Sequence, residues 1–174
     1  MTATTLASLL IAATVAFSAL AQAAEAPKAE LIGEFKDWSA ASFDEAGGKG
    51  CFMVSAPKKS EGKYTKRDPV YIHVTHRPAA GTRDVVSITA GYTYKPSTTV
   101  KVTIGDQVFD LFTKEEAAWA DDELDAKLVA AMKKSNRVVV EGTSSRGTST
   151  KDTYSLDGFA AMLAQIDKAC GVKR

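Results

Sequence analysis

The sequence predicts a mainly β (α+β) domain in which about eight antiparallel strands form a sandwich or a flattened barrel, with two helices, the last at the C-terminus. Short runs of alternating apolar and polar residues recur between Gly- and Pro-containing turns, a pattern that is typical of antiparallel strands. The hydrophobic period changes from 2 to 3.6 after Phe112 and again after Asp157. The chain has 174 residues, which is the size of one domain with its own core.

Eight runs have the composition and period of strands. They are residues 31–43, 51–56, 70–77, 84–90, 99–104, 107–112, 138–140 and 148–156. Trp38 lies at a break in the first run. Gly105-Asp106 joins two runs as a two-residue hairpin connection, and the turn at residues 144–147 joins the last two.

Two segments have the 3.6-residue period of a helix. In the first, Asp121 or Asp122 can cap the start, and Lys133 and Lys134 suit the negative end of the helix dipole. Its apolar face consists of Leu124, Leu128, Ala131 and Met132. In the second, Asp157 can cap the start and Gly171 can end the helix with a positive φ. Its apolar stripe consists of Phe159, Leu163, Ile166 and Cys170.

The N-terminal segment has the pattern of a secretory signal peptide. Residues 1–23 carry no charged side chain and end on Ala21-Gln22-Ala23, the small-residue arrangement that signal peptidase cleaves. The alternative is a retained membrane helix, which the Ala and Thr content and the cleavage site disfavour. We therefore predict a periplasmic or secreted protein without a membrane span in the mature chain. Residues 24–30 are predicted as a flexible leader and residues 31–174 as a single domain.

The two cysteines of the chain are Cys51 and Cys170. In an exported protein, two cysteines predict a disulfide, and the alternative is a pair of buried free thiols. A bond between them would attach the last helix to the N-terminal part of the sheet. It would close a loop of about 120 residues and stabilise the fold by roughly 4 to 5 kcal/mol on the chain-entropy model.

Charge predicts little about partners. The net charge is +1, so the chain has no overall field that would attract nucleic acid or an acidic membrane. One loop is locally basic and could contact an anionic envelope polymer, although such runs are also common in solvated loops. This possible interaction patch consists of Lys58, Lys59, Lys63, Lys66 and Arg67.

Candidate site residues are few. Four aromatic residues could face a ligand in an apolar cleft or pack in the core: Trp38, Tyr92, Tyr94 and Trp119. His73 and His76 lie on one strand and point to opposite sides, so they cannot share a metal ion. Neither a nucleophile-elbow G-x-S-x-G nor a Cys/His spacing that would suit zinc is present. We predict no catalytic, cofactor-binding or metal-binding residues.

Several short motifs occur in a specific order along residues 37–170. They are D-W at 37–38, Cys51 followed by an apolar strand, K-R-D-P at 66–69, G-T-S-S-R-G-T at 142–148, Y-S-L-D-G-F at 154–159, and Cys170. In this order and spacing the chain resembles the invasion-associated locus B family of secreted bacterial proteins. Further cysteines that family members carry in the middle of the domain are absent, which leaves one bridge. The resemblance implies an envelope-associated protein of a Gram-negative bacterium and supplies no catalytic residues.

These observations predict a non-enzymatic exported envelope protein that acts as a binding or accessory module, with an unknown envelope or host protein or polymer as its partner. One alternative is a periplasmic β-sandwich that binds a small ligand. The other is an uncharacterised hydrolase, in which changing His73 and His76 would abolish turnover.

Overall fold

The structure of the protein, a computed structural model, describes residues 28–174. The predicted signal peptide, residues 1–23, and residues 24–27 of the predicted leader lie outside this range. The described strands are β1 Ala29–Phe35, β2 Trp38–Glu45, β3 Gly48–Ser55, β4 Lys59–Gly62, β5 Tyr71–Arg77, β6 Thr82–Thr89, β7 Thr99–Ile104, β8 Gln107–Lys114, β9 Ala117–Trp119, β10 Arg137–Thr143 and β11 Ser149–Ser155. The helices are α1 Asp122–Met132, α2 Phe159–Ala169 and a short 3-10 turn, Pro78–Ala80.

All of these strands lie in one open antiparallel sheet. The strand order is β1-β2-β3-β5-β6-β9-β8-β7-β10-β11-β4. The predicted antiparallel pairing and the two helices are confirmed, whereas the sheet is neither a closed barrel nor, in its pairing, two separate sheets. The sheet curls until its two ends approach each other, since Trp38 Nε1 donates a hydrogen bond to the Ser155 carbonyl at 3.1 Å. The chain also passes directly from one half of the sheet to the other, because β4 follows β3 in the sequence yet pairs with β11.

The predicted count of eight strands is wrong, because three more strands are present within residues 28–174. The run at 31–43 is a hairpin, β1 and β2, that turns at Lys36 with a φ of 56°. β4 lies inside the basic loop, and its four residues are all exposed, so no apolar alternation marks it as a strand. β9 has three residues, too few for a period to show. β1 begins at Ala29, so two residues of the predicted leader also pair in the sheet.

The inward face of the sheet forms the core with the two helices. Val100, Val102 and Ile104 of β7 are buried at alternate positions, as the period of a strand requires. α1 packs on β6, β7 and β8, whereas α2 packs on β1, β2 and β3. The predicted cap of α1 is confirmed, because Asp121 Oδ1 accepts a hydrogen bond from the Leu124 N–H at 2.9 Å.

The predicted Asp157 cap of α2 is wrong. The N-cap residue is Gly158, whose φ is 90° and which has no side chain to accept a bond. A Cβ at this position would collide with the Phe35 carbonyl oxygen, so the close approach of β1 requires glycine here. Gly171 follows the helix with a φ of 65°, as its position predicts.

α2 is attached to the sheet by apolar, covalent and polar contacts. The ring of Phe159 meets Trp38 edge-on at 5.1 Å between centroids. Cys51 and Cys170 form a disulfide with their Cα atoms 6.0 Å apart, which confirms the predicted bond and excludes two free thiols. The C-terminal helix is therefore fastened to β3.

Candidate functional site

Two of the sequence motifs, which lie more than seventy residues apart in the chain, meet at one cleft. We call it the motif cleft. It is formed by residues 63–68, 91–93, 116, 144–146 and 148, and it encloses about 470 Å³. The first segment carries the K-R-D of K-R-D-P, and residues 144–148 belong to G-T-S-S-R-G-T. The convergence of these motifs makes the cleft the candidate functional site.

Backbone hydrogen bonds hold the walls of the motif cleft together. The Asp68 N–H donates to the Gly91 carbonyl at 3.0 Å, and the Ser145 N–H donates to the Thr93 carbonyl at 2.8 Å. Gly91 has a φ of 67°, and a Cβ there would collide with the Asp68 carbonyl oxygen. Only glycine allows residues 66–68 to lie this close to the segment that follows β6. The cleft is thus shaped before any ligand arrives.

A buried ion pair lies beneath the cleft. Arg67 donates two hydrogen bonds to the Asp152 carboxylate at 2.8 and 2.7 Å, and its Nε donates to the Ala90 carbonyl at 2.6 Å. The two side chains are only 5% and 2% exposed. Burial by itself lowers the pKa of the Arg67 guanidinium, but the hydrogen bonds and the charge of Asp152 outweigh it, so the pKa is raised. Arg67 is therefore a permanently charged anchor for the basic loop.

Tyrosine rings pack around this anchor. The Arg67 Cζ lies 5.6 Å from the ring centre of Tyr64 and 5.0 Å from that of Tyr92, within the range of cation–π contacts. The Tyr92 hydroxyl lies 2.7 Å from Thr150 Oγ1. Among the described residues, the hydroxyl of Tyr154 is a buried polar atom without a hydrogen-bond partner. Burial raises the pKa of the Tyr154 hydroxyl, so it is a neutral group on the inward face of β11.

The rim of the motif cleft carries more positive than negative charge. Its exposed cations are Lys63, Lys66 and Arg146, and its exposed anions are Asp68 and Glu116. None of the three cations forms an ion pair with any residue in 28–174. Three cations without partners can therefore meet an incoming anion.

The predicted basic patch is divided by the fold. Lys58 pairs with Asp37, and Lys59 pairs with Glu61 at 2.9 Å, so both of these charges already have partners. Arg67 points inward to Asp152 instead of outward. Lys63 and Lys66 remain at the cleft rim. The sequence did not identify Arg146 or Glu116 as parts of the patch, because β4 and the loop that follows bring distant segments together.

The four predicted ligand-facing aromatics do not share a cleft. Trp38 is buried against α2, and Trp119 lies on the outward face of β9 opposite Ser87 and Phe112. Tyr92 and Tyr94 do meet, edge-on at 5.2 Å between ring centres. Of the four, only Tyr92 lines the motif cleft.

The two histidines lie on opposite faces of β5, as predicted. His76 is fully buried, and both of its ring nitrogens are engaged, with Nδ1 3.0 Å from the Asp84 N–H donor and Nε2 3.0 Å from Asp167 Oδ1. Burial lowers the pKa of His73 to about 4, so this side chain is neutral near pH 7. Asp84 and Asp167, the two partners of His76, also bind Arg174, whose guanidinium donates a hydrogen bond to each carboxylate.

A buried carboxyl on α1 should make stability depend on pH. Burial raises the pKa of Asp125 to about 6, although the carboxylate accepts a hydrogen bond from the Val86 N–H at 2.8 Å. An unfolded Asp titrates near 3.9, so the native state holds the proton more tightly. Asp125 therefore contributes stability below about pH 4 that is lost as the pH rises through 6.

We expect Asp125→Asn to raise the free energy of unfolding at pH 7 by about 2 kcal/mol and to change it little at pH 4. The amide oxygen can still accept the Val86 bond, but it carries no charge to desolvate. Urea unfolding at both pH values measures the effect. The control is Glu123→Gln, an exposed carboxylate on the same helix, which should show no such pH dependence. Equal changes at pH 4 and pH 7 would contradict the assignment.

Comparison with known proteins places these features in a family. The model of the family described as "Invasion associated locus B (IalB) protein" matches residues 38–167, more than half of the chain. The chain belongs to the invasion-associated locus B family. This confirms the resemblance that its motifs indicate. No curated protein matches the chain, and no solved structure matches it.

The family match includes every segment that forms the motif cleft of this IalB protein. It ends before Cys170, so the disulfide is completed by a residue beyond the matched region. Within residues 28–174, no helix is long and apolar enough to cross a membrane. The same residues contain no group of three or more His, Cys, Asp or Glu side chains that could hold a metal ion.

Proposed function

We propose that this IalB protein is an exported, non-enzymatic envelope protein that uses the motif cleft to bind an anionic group on an envelope or host molecule. The observation that carries the proposal is the set of three unpaired cations, Lys63, Lys66 and Arg146, around a preformed cleft. The buried Arg67–Asp152 pair fixes the loop that presents two of these cations, so little ordering entropy opposes binding.

Contacts of the histidines support a binding role over hydrolysis. A general base needs a ring nitrogen that can take a proton from a nucleophile or water. In His76 both nitrogens already have partners in the protein, and the residue is fully buried. His73 sits beside Phe52 and Tyr71 on the outward face, with ring centres 6.3 and 5.9 Å away. Neither residue lines the motif cleft.

Export is supported by the disulfide and by the leader-like N-terminal residues. A disulfide persists in an oxidising compartment such as the periplasm and is rare in the cytosol. Residues 1–23 have the composition of a cleavable signal peptide. A periplasmic or secreted location brings the motif cleft into contact with envelope polymers, many of which are anionic.

Binding to heparin, used as a soluble anionic polymer, tests the proposal. We expect measurable binding that weakens as salt is added, because exposed charges are screened within about 10 Å at 0.1 M ionic strength. The triple variant Lys63→Gln, Lys66→Gln, Arg146→Gln should bind about tenfold more weakly. Exposed ion pairs contribute roughly 0.2–1 kcal/mol each, and tenfold corresponds to about 1.4 kcal/mol.

A charge-matched control separates the cleft from net charge. Lys133, Lys134 and Arg137 are also exposed and form no ion pair within residues 28–174. Changing these three to Gln removes the same charge, two lysines and one arginine, from another part of the surface. The control variant should keep most of the heparin affinity. Equal losses in both triple variants would refute a specific role for the motif cleft.

A further inference from the structure

A second groove adjoins the motif cleft across the basic loop. We call it the tyrosine groove. It encloses about 450 Å³ and is lined by apolar residues on both walls, together with Ser60 of β4. The apolar residues are Ala56, Pro57, Tyr64, Pro69, Val70 and Tyr71. Residues 64–68 line both the groove and the motif cleft, so the two form neighbouring halves of one surface.

The tyrosine groove lies where the consecutive strands β3 and β4 diverge. β3 pairs with β5 as far as Ser55, which lies opposite Ile72. The chain then passes through Pro57 and leaves β5 to pair with β11 as strand β4. Because β4 is the last strand of the sheet, it has a neighbour on one side only. An edge strand of this kind presents backbone N–H and C=O groups to a further extended chain.

Exposed aromatic surface lies at the mouth of the groove. Tyr64 is 37% exposed and Tyr71 is 39% exposed. Tyr64 is held in place by its contact with the Arg67 guanidinium on one side of the ring. Lys66, an unpaired cation, lines the groove and the cleft alike. An apolar recognition surface therefore adjoins a cationic one at a fixed loop.

We propose that the tyrosine groove and the motif cleft together bind one extended acidic segment of a partner protein. A phenylalanine, tyrosine or leucine side chain of that segment packs between Tyr64 and Tyr71, and neighbouring carboxylates meet Lys63, Lys66 and Arg146. This inference rests on the proposed function and narrows it from anions in general to an acidic, aromatic-containing polypeptide.

The choice of a polypeptide over a polysaccharide follows from two features. An open strand edge at β4 offers main-chain hydrogen bonds that match an extended peptide. An apolar groove with two partly exposed tyrosines gains from burying an aromatic or aliphatic side chain, which a sulfated or phosphorylated sugar does not carry. Charge complementarity then selects an acidic over a basic segment.

Fluorescence anisotropy with labelled synthetic peptides tests the inference. The first peptide has the sequence Gly-Asp-Glu-Phe-Asp-Glu-Gly, the second has glycine in place of phenylalanine, and the third has lysine in place of each acid. We expect the first to bind, the second to bind at least about fivefold more weakly, and the third to show no binding.

Protein variants locate the contact. Tyr71→Ala should weaken the first peptide about fivefold and leave heparin binding unchanged, because Tyr71 does not line the motif cleft. Tyr64→Leu should keep an apolar side chain in the groove wall and should therefore weaken binding of the first peptide by less than Tyr71→Ala does. Phe112→Ala, which removes a ring that is 54% exposed on the outward face, is the matched control and should bind as the parent protein does. Thermal unfolding confirms that each variant folds.

The outcomes are distinguishable. If heparin binds through the three cations but no peptide binds, or if the first two peptides bind equally, the inference is overturned and the proposed function stands. The inference is likewise overturned if Tyr71→Ala leaves peptide affinity unchanged. If neither heparin nor any peptide binds, the proposed function fails together with the inference.

Discussion

Reducing the Cys51–Cys170 bond should lower the free energy of unfolding by about 5 kcal/mol. The bond joins residues 119 positions apart in the chain, so it closes a long loop in the unfolded state. The chain-entropy model gives about 5 kcal/mol for a loop of this length. Urea unfolding of the oxidised protein and of the protein in excess reductant, read by tryptophan fluorescence, measures the difference.

The native contacts of α2 should survive the loss of the bond. Phe159, Met162, Leu163 and Ile166 are buried against the sheet, and Asp167 remains bonded to His76. We therefore expect the double variant Cys51→Ala, Cys170→Ala to fold with an unchanged circular dichroism spectrum and a lower urea midpoint. It should match the reduced parent protein in stability. Identical midpoints for oxidised and reduced protein would contradict the assigned role.

Local patterns predicted most elements of the fold but not how the sheet is assembled. The β7–β8 hairpin, the Asp121 cap and the Gly171 helix end follow from residues close together in the chain. The single curled sheet does not, because β3 pairs with β2 and β5, whereas β4, which follows β3 after Pro57, pairs with β11 near the C-terminus. Strand order is decided by such long-range packing, which periodicity does not encode.

The sequence identified only part of the motif cleft, again because long-range packing brings its segments together. The basic loop was identified from its composition, and two of its lysines, Lys63 and Lys66, lie at the motif cleft. The inward direction of Arg67 was missed because its partner, Asp152, lies 85 residues away. A signal did exist: Asp152 shares an alternating strand face with Tyr154, and a carboxylate at an inward position of a strand requires a buried cation.

Replacing Asp152 by Asn should destabilise the protein by about 3 to 5 kcal/mol. The guanidinium of Arg67 would keep its charge in a buried site without a counter-ion, and removing one partner of a buried pair has a cost of this size. The control is the exposed ion pair between Lys151 of β11 and Glu141 of the neighbouring strand β10. Lys151→Met should change the free energy of unfolding by less than about 1 kcal/mol.

A double-mutant cycle then separates the pair from the burial of each side chain. We expect the single variants Arg67→Met and Asp152→Leu each to be destabilising. The double variant Arg67→Met, Asp152→Leu should be less destabilised than the sum of these two, because no unpaired charge remains. Arg67→Lys should be intermediate, since an ammonium cannot form the two-pronged contact. If the single effects simply add, the two side chains do not act as a pair. In that case Arg67 would not be what holds residues 63–68 over the motif cleft.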